Sequence, residues 1–133
     1  MIAIKWTIRL NLDPAKVSLT NNGSRYMSKQ KQFGDDFNNL PDTSQLKKIT
    51  LSNSQSKQSL SIDNIPGKQA SVKILYNISQ NNDFKITSEQ AKAGMILFGD
   101  FADDEIQQPN SHPNIRLLLD IIEDNQTWEV KAT

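Results

Sequence analysis

The 133-residue chain reads as mostly β: an antiparallel β-sandwich, immunoglobulin-like or jelly-roll-like, with one short helix, forming a single β-rich domain over residues 1–133. Three observations carry that reading. Ile is the commonest residue at 14, and β-branched side chains pack well on a pleated surface. Asn, Gln, Ser and Thr number 44 together, against 11 for Ala and Glu, so residues that favour turns far outnumber two of the better helix formers. Two stretches also alternate apolar and polar residues with a period of two. The alternative is an α+β fold with a C-terminal helix at about 114–124.

The elements follow in order. Ile2, Ile4, Trp6, Ile8, Leu10 and Leu12 alternate with polar or small residues, which predicts a strand with Trp6 on its buried face. Asp13-Pro14 ends it, because proline has no backbone donor. Val17 and Leu19 predict a second strand, and Asn21-Asn22-Gly23 a tight turn into Arg25-Tyr26-Met27. Ser28 to Asp42 loses the pattern and reads as a long loop. Leu46, Ile49 and Leu51 fit either a helical turn or an irregular strand. Ser59 to Asp63 alternates again, with Leu60 and Ile62 on one side, before a turn through Gly67.

Ala70, Val72, Ile74, Tyr76 and Ile78 predict the second long strand. After a turn at Asn81-Asn82-Asp83, Thr87 or Ser88 caps a short helix through Ala93, with Gly94 as its left-handed terminus. Met95 to Phe98 reads as a buried strand between two glycines, and Asp100 to Pro113 as an acidic loop. Ile115 to Ile122 is read as a strand in preference to a helix capped by Asn114, followed by a turn into Trp128-Glu129-Val130. The run Asp13-Pro14-Ala15-Lys16-Val17-Ser18-Leu19, with Gly23 beyond, resembles the opening of bacterial immunoglobulin-like domains. The resemblance implies a sandwich in preference to a barrel.

The charges balance at 15 basic and 15 acidic, so the chain lacks the excess of Lys and Arg that phosphate contacts require, and nucleic acid is not expected as a partner. The absence of cysteine rules out disulfides, thiolate nucleophiles and Cys-ligated metals. No apolar run approaches the ~18 residues of a membrane span, and charges interrupt the first apolar residues. The expected location is therefore the cytoplasm, without a membrane partner; export by a route that needs no cleaved signal stays open.

His112 is the sole histidine, reads as a solvated loop residue, and is accompanied by no Gly-x-Ser-x-Gly elbow. No catalytic residue and no enzyme activity are expected. Asp100, Asp103, Asp104 and Glu105 could hold Ca²⁺ if backbone carbonyls completed the shell, but their spacing is not that of an EF-hand. A solvated acidic loop is the preferred reading, with no metal or other cofactor. Lys29, Lys31, Lys47 and Lys48 are interrupted by Asp35, Asp36 and Asp42, so they read as a mixed solvated segment. What remains is binding: Phe33, Phe37 and Phe101 in the irregular segments, and Trp128 near a sheet edge, are the candidate contact anchors. The expected function is a non-catalytic protein-binding module, an accessory, adaptor or neutralising partner of another protein. The alternative is a domain binding a small ligand or carbohydrate with the help of Ca²⁺.

Overall fold

The structure, a computed structural model, describes residues 31–133. Across them the fold is α+β: strands β1 (Lys48–Asn53) and β2 (Gln58–Asp63), helix α1 (Gln69–Gln80), the two-residue strand β3 (Lys85–Ile86), helices α2 (Ser88–Phe98), α3 (Asp100–Gln107) and α4 (Pro113–Asp124), then strand β4 (Trp128–Ala132). The sheet is antiparallel throughout, in the order β2-β1-β4-β3. The predicted β-sandwich is therefore overturned, and the α+β alternative with a helix near 114–124 fits. The predicted strand at 2–12 with Trp6 in its core, and the hairpin at 17–27, lie outside the described residues.

One face of the sheet is buried and the other is wet. Ile49, Leu51, Ile62, Ile86, Trp128 and Val130 join the core, whereas their neighbours Lys48, Ser61, Glu129 and Lys131 are exposed. Ile49 to Leu51, undecided in the sequence, is strand because two partners claim it: β2 on one side and β4 on the other. Thr50 and Ser61, paired across β1 and β2, bring their hydroxyls to 3.2 Å on the wet face.

Four segments read as strand or loop are helical, each for a visible packing reason. Residues 70–78 alternate, yet Leu75, which a strand would send to the polar side, is fully buried in α1. Val72, Leu75 and Ser79 form one helical stripe, and Ile74 and Ile78 the next. Met95 to Phe98 is the last turn of α2 rather than a strand, because Gly94 does not end that helix. A Cβ there would lie 2.8 Å from Leu118 Cδ1, so Gly94 is the point where α2 and α4 approach closely. The helix starts as expected, with a capping box between Thr87 and Gln90, and stops at Gly99, whose φ is +59°.

The acidic loop is mostly helix α3, with Asp100 and Asp103 in a first turn where negative charge complements the helix dipole. Ile115 to Ile122 is α4: Ile115, Leu118, Leu119 and Ile122 repeat at helical spacing and are all buried. Pro113 occupies its first turn, and Asn125, at φ +53°, is the left-handed terminus. No described helix is long and apolar enough to cross a membrane.

Candidate functional site

The outer edge of β2 and the amino-terminal ends of α1 and α4 enclose an open groove of about 510 Å³. Its walls are Leu60 and Ile62 from β2, Ala70 from α1, Phe98 from α2, Phe101 from α3, Ile115 from α4, and Phe33 from the segment before the sheet. The polar side chains of the lining are those of Ser61, Lys68, Ser71, His112 and Asn114, and no lining residue is acidic. Leu60 is 36 % exposed at the lip. Neither flanking helix has a side-chain cap or an acidic residue in its first turn.

Two devices hold the groove open. The first is aromatic. Phe33 stacks on Phe37 with ring centroids 4.2 Å apart and tilts against Phe101 at 4.7 Å. The Lys73 ammonium lies 5.2 Å from the Phe37 ring centre. Backbone bonds fix the segment that carries Phe33: the Gly34 amide donates to Leu97 O at 2.8 Å, and the Asp100 amide to Gln32 O at 2.9 Å. A side chain on Gly34 would collide with Ile96 O, so only glycine lets this segment lie against the end of α2.

The second device is ionic. Glu105 is fully buried, and its carboxylate accepts from the amides of Asn110 and His112, each at 2.6 Å, and from Arg116 Nε at 2.7 Å. Ser111 Oγ adds a longer contact at 3.4 Å. Burial works to raise the pKa of this carboxyl, but the two amides and the Arg116 guanidinium outweigh it, so the group stays below its ordinary value. The carboxylate thus fixes the turn from α3 into α4, and with it the residues of α4 that line the groove.

The predicted contact residues divide. Phe33 and Phe101 line the groove together. Phe37 is half-buried and faces a neighbouring cleft with Asp42, Asn64 and Lys73. Trp128 is 5 % exposed, packs under the sheet, and donates from Nε1 to Gln126 Oε1 at 3.0 Å. The acidic residues are engaged locally: Asp100 Oδ2 accepts from the Gln32 amide, Asp104 pairs with Lys31 at 2.8 Å, and Glu105 is held as described. Among the described residues no three His, Cys, Asp or Glu side chains converge as a metal site.

His112 lies in the loop that enters α4, as the N-cap residue of that helix. Its Nε2 lies 3.4 Å from Asp104 Oδ2, and its ring meets Phe101 edge-on with centroids 6.0 Å apart. Leu60, Ile62, Phe98 and Ile115 escaped sequence reasoning as site residues because each looks like ordinary core. The helical spacing of Ile115, Leu118, Leu119 and Ile122 was the available signal for the α4 wall.

A two-layer α+β domain with an apolar groove beside a sheet edge that no other described strand pairs with defines a class of binding architecture rather than an activity. The chain belongs to the family described as an uncharacterized protein conserved in bacteria (DUF2322), whose model matches residues 33–132. Every residue that lines the groove falls within that span. No curated protein and no solved structure matches the chain.

Proposed function

We propose that this chain is a non-catalytic protein-binding module whose contact surface is the groove between β2, α1 and α4. One observation carries the reading: aliphatic and aromatic side chains from six separate parts of the chain converge on a cleft that opens to solvent and has no acidic residue in its lining. Such a surface accepts apolar anchor side chains of another protein, while the polar rim sets their orientation. The cytoplasm is the compartment we assign to it, and partition of a reporter fusion tests that placement.

Ser71→Glu tests the groove. Glutamate in the first turn of α1 complements the helix dipole, so the fold is retained while a charge fills the mouth. A photo-crosslinking side chain at Asn114, used in the native bacterium, is expected to capture a protein in the parent but not in the Ser71→Glu background. Capture that survives the substitution at unchanged thermal stability overturns the reading.

The runner-up is an apolar small molecule carrying an anion. Lys68 and His112 line the groove with no acidic side chain beside them in the lining, and about 510 Å³ is within the range of small-molecule sites. Thermal stabilisation by apolar carboxylic acids, abolished by Ser71→Glu, would select this reading over the first.

A further inference from the structure

We propose that the partner presents its own carboxyl terminus to the groove: a last residue with a large apolar side chain, whose main-chain carboxylate pairs with Lys68. The inference rests on the protein-binding reading of the groove and adds to it the chemistry of the partner.

Charge selects the carboxylate. The lining holds Lys68 and no acidic residue, and the first turns of α1 and α4 contribute none. The basic groups on the α4 side already have counter-charges. Lys31 pairs with Asp104 at 2.8 Å, His112 Nε2 lies 3.4 Å from the same carboxylate, and Arg116 is held by Glu105 at 2.7 Å. Farther along α1, Lys73 lies against the Phe37 ring and lowers the pKa of Asp42. Lys68 is exposed and takes part in none of the ion pairs of the described residues. A cation without a counter-charge, on the wall of an apolar cavity, attracts an anion more strongly than it would on an open surface, because less water screens the pair.

The cavity selects a chain end. Leu60, Ile62, Phe98, Phe101 and Ile115 call for a bulky apolar side chain. In a terminal residue that side chain and the carboxylate leave the same Cα, so one residue reaches the wall and Lys68 together within about 510 Å³. An internal acidic residue would set its polar side chain among the rings, and its chain would have to leave the groove in both directions. Ser71, one turn along α1 from Lys68, adds a hydroxyl donor of the kind that carboxylate capture uses.

Isothermal titration calorimetry of the full chain with short synthetic peptides tests the assignment. One set ends in leucine, isoleucine or phenylalanine with a free carboxylate, a second carries the same residues as terminal amides, and hexanoic acid serves as the small-molecule control. At least one free-acid peptide is expected to bind at least about tenfold more tightly than its amide and than hexanoic acid. Lys68→Gln, at an exposed position, should keep the parent's thermal stability while removing both the preference for the free acid and the salt dependence of binding. Ser71→Glu should abolish binding of every peptide. Equal binding of acid and amide forms, lost in Ser71→Glu, overturns the inference and leaves the protein-binding reading in place. Absence of binding by every free-acid peptide overturns it as well, and cross-linking at Asn114 then decides that reading by itself. A preference for the free acid that persists in Lys68→Gln, or binding that persists in Ser71→Glu, places the carboxylate elsewhere and also overturns it. Hexanoic acid binding as tightly as the best peptide overturns it in favour of the small-molecule reading.

Discussion

Glu105 and the cluster of Phe33, Phe37 and Phe101 each fasten one rim of the groove, and they do so by opposite physics. The carboxylate satisfies two amides and a guanidinium in a space closed to water, so its contribution depends on direction and charge. Removing it leaves Arg116 and two donors without their acceptor. The rings are only partly buried and act through area and stacking, so truncating one of them loses contact in proportion. The ionic rim fails as a unit, whereas the aromatic rim weakens by degrees.

The largest effect is expected at the ionic rim. Glu105→Ala should cost about 3–5 kcal/mol in urea unfolding, the range for losing one partner of a buried pair. Acid sharpens the point. The folded pKa of Glu105 is depressed, so its stabilisation is complete above the unfolded value near 4.5 and is lost as pH falls through the folded value. Stability measured from neutral pH downward should fall in the parent, and this component of the slope should vanish in Glu105→Ala.

Phe33→Ala, which breaks both ring contacts, is expected to cost about 2–3 kcal/mol, with little dependence on pH. Phe37→Ser loses one stack and the Lys73 contact and should cost about 1–2 kcal/mol. A loss at Phe37 as large as at Glu105 would erase the distinction between the two rims. The smallest effect is at Asp120. Burial raises its pKa, Asp124 and Glu123 add to the rise, and Arg116 opposes it. A raised carboxyl opposes folding while ionised, so Asp120→Asn should gain up to about 0.5 kcal/mol at neutral pH, and the gain should shrink as acid protonates the parent.

Legibility in the sequence followed the kind of contact that decides each segment. β2, β4 and the start of α2 were readable because their signals are local: alternation at Leu60 and Ile62, and a cap at Thr87 answered by Gln90. Residues 70–78 satisfy a period of two and a period near 3.6 at once, and only Leu75 separates the readings, through a burial that other elements supply. Gly94 misled for a related reason: its role is a close approach to Leu118 and Ile78, which no neighbouring residue announces. For the site, Phe33 and Phe101 could be picked out as aromatics in polar surroundings. Their meeting could not, since the segments that carry them join through Gln32 and Asp100, 68 positions apart. In the sequence Glu105 reads as a solvent-facing acid, because three of its partners, Asn110, Ser111 and His112, lie in a turn whose path the composition does not fix and the fourth, Arg116, lies on α4.

The strand order also bears on how the chain is made. β4 lies between β1 and β3, so one of the two inner positions of the sheet is filled by the strand that leaves the ribosome last of the four. At ~5–20 residues per second, the roughly 75 residues between β1 and β4 take several seconds to appear. Throughout that interval Ile49 and Leu51 have only the β2 hairpin beside them. The helices must wait as a loose assembly over an unfinished sheet, because long-range pairing is paid for in loop closure before it returns any stability. Early synthesis therefore exposes a hairpin with two open edges, and a nascent chain stalled before Trp128 presents to chaperones the same apolar surface that the finished domain buries.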